Sequence, residues 1–121
     1  MKARRKLRVL ATRGFERDLE RIERFLESTG HAAGLDTLLD DLEGRVIPLL
    51  ERTPRIGPPL QTLKLAADAR LLLERVQSRL GANEARTLVR PDFVVLYVLG
   101  ERVVHLVSVR HHRESGFKFG A

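Results

Sequence analysis

The sequence predicts an α+β domain on three observations. Helical periodicity runs through residues 15–50, a Pro/Gly-rich stretch interrupts it at 53–59, and apolar runs at 85–90, 93–99 and 102–110 are separated by two-residue turn signals. At 121 residues the chain is of single-domain size, and residues 1–121 are read as one domain burying roughly two thirds of its unfolded surface. Apolar residues make up 43% and charged residues 31%, and no stretch of about 18 apolar residues offers a membrane span, so a soluble, non-membrane protein is expected. There is no cysteine, which excludes disulfides, thiolate-ligated zinc and a cysteine nucleophile, and suits a reducing cytoplasm. The opening bases Lys2, Arg4, Arg5, Lys6 and Arg8 are followed by only Val9-Leu10-Ala11 before Thr12, too short for an export core.

Taken in order, Leu7–Thr12 alternates Val9 and Ala11 against Arg8 and reads as an edge strand, broken at Arg13-Gly14. The period then changes. Phe15, Leu19, Ile22 and Leu26 share one helical face, with Arg13, Arg17, Arg21 and Arg24 opposite, and Glu16 and Glu20 lie three or four residues from arginines, as in a salt-bridged solvent face. Gly30 can close this helix in a left-handed cap. Leu35, Leu38, Leu39, Leu42, Val46, Leu49 and Leu50 form a second apolar stripe, so the two helices make a hairpin. Pro48 leaves the carbonyl of Gly44 without its helical donor, so a kink or a final turn is expected there. Thr53-Pro54-Arg55-Ile56-Gly57-Pro58-Pro59 is an extended crossing. Leu65, Ala69, Leu72, Val76 and Leu80 then define an added helix at about 66–80, stopped by Gly81 and Asn83. The three closing runs form an antiparallel meander, and the two longer ones are apolar on both faces.

The net charge of +6 is concentrated at the amino end, where residues 1–17 carry seven bases and one acid. Such a patch attracts an acidic partner, either nucleic acid or an acidic protein segment.

This order of elements, closing with Phe93-Val94-Val95-Leu96-Tyr97 and Val107-Ser108-Val109-Arg110-His111-His112-Arg113-Glu114, resembles the RelE/ParE superfamily of type II toxin–antitoxin toxins, especially the plasmid-stabilisation subgroup, in which an Arg-His-His-Arg segment follows the last strand. The resemblance implies a RelE/ParE-like fold: an antiparallel sheet packed against an amino-terminal helical hairpin, here with an extra helix before the meander. It also implies a cytoplasmic toxin neutralised by an acidic, partly disordered antitoxin in a hetero-oligomer, acting on DNA gyrase or on ribosome-bound mRNA, with no cofactor.

Metal-free RNA cleavage requires a base for the 2′-hydroxyl, cations for the phosphorane and an acid for the leaving oxygen. Arg110 and His112 are two residues apart and would share a strand face with Ser108, and Arg86 and Arg90 on the neighbouring strand could add charge, so Arg110, His112 and Arg86 are the catalytic candidates if the chain is a nuclease. Ribosome-dependent nucleases of the superfamily place a basic residue after the aromatic that starts the penultimate strand. Here Phe93 is followed by Val94, and the lysines of RelE itself are not matched. That favours a gyrase-binding toxin with Arg90, Arg110, His111, His112 and Arg113 contacting the target; the alternatives are a ribosome-dependent endoribonuclease and a non-toxic nucleic-acid-binding or adaptor domain. The bland reading of Arg110–Arg113 is sheet-end solvation with an Arg113–Glu114 ion pair. His105 reads as a structural strand histidine, His31 as a turn residue, and Tyr97 as core with its hydroxyl at an edge. A metal site is not expected, because His111 and His112 are adjacent and would point to opposite sides of a strand. The aromatics of Gly116-Phe117-Lys118-Phe119 either pack back on the sheet or meet a partner.

Overall fold

The computed structural model describes residues 7–61 and 65–114. The bases at 2–6 and the aromatic tail at 116–119 lie outside them. The elements are β1 (Arg8–Ala11), α1 (Arg13–Ser28), α2 (Ala33–Asp41), a π-helical turn (Leu42–Val46), α3 (Ile47–Arg52), α4 (Ala67–Leu80), β2 (Glu84–Val89), β3 (Phe93–Leu99) and β4 (Val103–His111). No helix among the described residues is long and apolar enough to cross a membrane.

Thr12 starts α1 by accepting a hydrogen bond from the Phe15 N–H at 3.2 Å, while its own hydroxyl donates to the Leu106 carbonyl at 2.9 Å, so the cap also ties the helix to β4. Gly30 follows the helix at φ 78°, the left-handed closure expected of it. The second helical run continues past Pro48 because the π-turn absorbs the proline. Ile47 N–H reaches back five residues to the Leu42 carbonyl, which widens the turn where Pro48 cannot donate to Gly44.

The sheet order is β1-β4-β3-β2. The meander is antiparallel as expected; β1 joins β4 in parallel, pairing Arg8–Ala11 with Val103–Leu106, so the whole sheet is mixed. All seven residues of β3 are buried, because the strand feeds two cores. Phe93, Val95 and Tyr97 pack beneath the hairpin with Phe15, Ile22, Leu26, Leu38, Val46 and Leu50. Leu96 and Val98 face the other way and meet Leu73 of α4, together with Val107. The added helix is therefore the partial cover that two-sided apolar strands require. Its inward residue is Leu73, 1% exposed, whereas Leu72, expected on that face, is 37% exposed.

The β2 edge of the sheet is covered without a further full strand among the described residues. Along β2, the 53–60 crossing pairs in place: Leu60 N–H donates to the Ala85 carbonyl and Thr87 N–H to the Pro58 carbonyl. It passes so close that a Cβ on Gly57 would lie 2.1 Å from the Thr87 carbonyl oxygen. Tyr97, fully buried, pins this crossing by donating its hydroxyl to the Pro54 carbonyl at 2.7 Å and accepting from Gly57 N–H at 3.1 Å.

Candidate functional site

Among the described residues, no strand lies beside the edge of β4 beyond Ala11, and side chains take over. Asp18 on α1 accepts from the Val109 N–H at 3.0 Å and from the Ser108 hydroxyl at 2.6 Å, and Arg21 donates to the Val109 carbonyl at 3.1 Å. Glu114 accepts from the His111 N–H at 3.0 Å and from Arg21 at 2.8 and 3.1 Å, and Arg21 also pairs with Asp18. Burial pushes the Asp18 carboxyl above its ordinary range, and the donors around it offset only part of that. Burial acts on Glu114 in the same direction, but Arg21 and the His111 N–H outweigh it and hold its carboxyl below the usual range. Arg21 is thus drawn inward from the solvent stripe assigned to it by sequence, and Glu114 pairs with Arg21 in the role expected of Arg113. One signal for this was legible: Asp18 interrupts the Phe15–Ile22–Leu26 face of α1 with an acid.

This clamp positions the turn after β4. The strand ends at His111, so His112 does not continue a common face with Arg110. Ser108 does share the face of Arg110, pairing with Leu96 as Arg110 pairs with Val94, but it is buried with its hydroxyl on Asp18, and the extra residue of β4 lies before it, at Val107. The buried His111 ring accepts the Arg113 N–H at 3.2 Å, and burial lowers its pKa. His112 lies exposed with Nε2 2.7 Å from the Arg90 carbonyl, and its N–H donates to the Asp92 carbonyl at 2.9 Å. Arg90 forms a two-pronged pair with Asp41 of α2 at 2.7 and 2.9 Å, which holds the Asp41 carboxyl below its ordinary range. Arg110 donates to the Glu114 carbonyl at 3.3 Å. Arg90, Arg110, His111, His112 and Arg113 therefore gather at one end of the sheet, with His112 and Arg113 facing solvent.

Arg86 does not join them. It lies opposite Tyr97, three residues along β2 from Val89, which pairs with Val94 and through it with Arg110, a separation of about 10 Å along the strands. Its guanidinium binds Glu84 at 2.7 Å and the Gly57 carbonyl at 2.6 Å, holding the crossing to β2. His105 lies six residues before His111 on β4, roughly 20 Å away.

A second charged surface lies on the α4 side of the sheet. A groove of about 740 Å³ runs between the start of α1 and α4, lined by Arg13 and Arg17 on one wall, Arg75 and Arg79 on the other, and His105, whose pKa burial lowers. Its floor is aliphatic, formed by Leu10, Leu72, Val76, Leu80 and Val107, and no acidic residue lines it. Arg13 and Arg17 of α1 and Arg75 and Arg79 of α4 are far apart in the sequence, and no local signal in it shows that the two helices converge.

The family model for the ParE toxin of the type II toxin–antitoxin system, parDE, matches residues 9–116. Among solved structures, the toxin–antitoxin complex RelBE2 from Mycobacterium tuberculosis is similar in fold, with a TM-score of 0.54 and 18% sequence identity over 94% of this chain and 100% of that chain. No curated protein matches the chain by sequence.

Proposed function

This chain belongs to the ParE toxin family of type II toxin–antitoxin systems, within the RelE/ParE superfamily, and from that membership we propose that it is a cytoplasmic toxin that inhibits DNA gyrase by binding. An acidic cognate antitoxin neutralises it, and residues 1–121 act as one toxin domain. The contacting surface is the sheet end formed by Arg90 and Arg110–Arg113, with His112 and Arg113 as the residues presented to the target.

The observation that carries this reading is the state of the cleavage candidates. Arg86 is bound to Glu84 and the crossing on another part of the sheet, and the His112 ring bonds the Arg90 carbonyl. Arg90 is engaged by Asp41, and Val94 is buried where the nucleases carry a base. These engagements support recognition over cleavage, because a cationic turn fixed by backbone bonds suits contact with a large acidic or polar surface.

The test adds the purified chain to a gyrase supercoiling assay and, separately, to a translation reaction with mapped mRNA ends. Supercoiling is inhibited, and His112→Ala together with Arg113→Ala weakens inhibition at least tenfold while the far-ultraviolet circular dichroism spectrum is unchanged. Cleavage at ribosomal A-site codons that disappears in His112→Ala would replace binding with endoribonuclease activity. Growth unaffected by expression without the antitoxin would leave a non-toxic adaptor on the same fold.

A further inference from the structure

We infer that the groove between α1 and α4 is the docking site for an acidic amphipathic helix of the antitoxin. This goes beyond the target reading above and holds whichever target the toxin inhibits. Four exposed arginines, Arg13 and Arg17 from α1 and Arg75 and Arg79 from α4, stand on facing walls. None of the residues lining the groove is acidic, so the field between the walls favours an anionic occupant.

The floor decides what kind of anion. Leu10 is 40% exposed and Leu72 37% exposed, and with Val76 they give the space between the arginines an aliphatic floor. A nucleic acid would be held by its phosphates and by bases stacked on aromatic rings, and the groove has no phenylalanine, tyrosine or tryptophan, its one ring being His105. A helix with leucine-type residues on one face and carboxylates on its flanks matches both features: its apolar stripe covers Leu10 and Leu72, and its acids reach the arginines on either side. Leu72 belongs to this surface because α4 is anchored to the sheet by its neighbour Leu73. The helix added to the hairpin and sheet thereby supplies one wall of the site as well as covering Leu96 and Val98.

The experiment measures the affinity of the full chain for its cognate antitoxin by fluorescence titration across a series of salt concentrations. Arg75→Glu/Arg79→Glu weakens binding about 100-fold or more and flattens the salt dependence, and Leu72→Asp alone weakens it at least tenfold. Arg24→Glu/Arg52→Glu, the same charge change at exposed positions outside the groove, stays within about threefold of wild type. Equal losses in the two double variants would mean long-range attraction without a docking site and would overturn the inference, as would no loss in either. A 20-nucleotide single strand that binds through Arg75 and Arg79 more tightly than the antitoxin does would overturn it in favour of a nucleic-acid surface. Gyrase inhibition is read in its own assay, so failure of the target reading and failure of the groove are separately visible.

Discussion

Replacing Arg21 with methionine tests the clamp on β4 while keeping the aliphatic stem in place. Arg21 contacts two carboxylates and one carbonyl: Asp18, Glu114 at 2.8 Å and the Val109 carbonyl at 3.1 Å. The side chains of Asp18 and Glu114 are only 5% and 6% exposed, so both lose their cation in a place water scarcely reaches. Breaking a buried pair by removing one partner costs about 3–5 kcal/mol. The lower end, about 3 kcal/mol, applies because Arg21 itself is 23% exposed, Asp18 keeps Ser108 and the Val109 N–H, and Glu114 keeps the His111 N–H.

The pH dependence gives a second reading. Glu114 is lowered in the folded state, so its stabilisation is present above its unfolded pKa of about 4.3 and is lost as pH falls through the folded value. Asp18 is raised, so it opposes folding increasingly as pH rises from its unfolded value, about 3.9, through the folded one. Without Arg21 the benefit at Glu114 shrinks and the penalty at Asp18 grows, so the gap between wild type and Arg21→Met is widest at neutral pH and narrows toward about pH 4. Urea denaturation at pH 7, 5.5 and 4 measures it. A loss under about 1 kcal/mol at pH 7, or a gap constant with pH, would refute the account of Arg21 as counter-ion to two buried acids.

Three further perturbations follow from the packing. Gly57→Ala places a methyl 2.1 Å from a main-chain oxygen that cannot swing aside, and costs about 1–3 kcal/mol in thermal unfolding as the crossing lifts from β2. Tyr97→Phe leaves the Pro54 carbonyl and Gly57 N–H unsatisfied under the same crossing, at a cost of about 1–3 kcal/mol by urea titration. Leu73→Ala loses about 2–5 kcal/mol and Leu72→Ala stays within about 0.5 kcal/mol, a contrast in denaturation midpoints that fixes which face of α4 is inward.

Most of the fold was legible because its signals are local. The stripe of α1, the left-handed glycines at 30 and 81, the disruption around Pro48 and the turns of the meander are each written within a few residues. The direction of β1 was not, since its parallel pairing with β4 joins segments at opposite ends of the sequence. The phase of α4 was ambiguous because Leu71, Leu72 and Leu73 stand in a row, and only the position of Leu96 and Val98 selects the third. The candidate site divides in the same way. The Arg-His-His-Arg run marked the sheet end, but the partners that determine what those side chains can do, Asp41 on α2 and Asp18 and Arg21 on α1, come from distant elements. The four arginines of the groove come together only when α4 folds back across the sheet.

The tie between Thr12 and Leu106 spans 94 residues, and the Arg21–Glu114 pair spans 93. At a translation speed of about 5–20 residues per second, Thr12 leaves the peptidyl-transferase centre roughly 5–20 s before the residue that completes its strand has been made. Throughout that interval β1 and α1 lack the strand they pack on, and the cationic turn at 110–113 does not yet exist. A growing chain therefore lacks the sheet end until β4 and the turn after it have been made. The amino-terminal elements therefore wait for the strand made last among the described ones, and the order of synthesis runs opposite to the order in which the sheet can close.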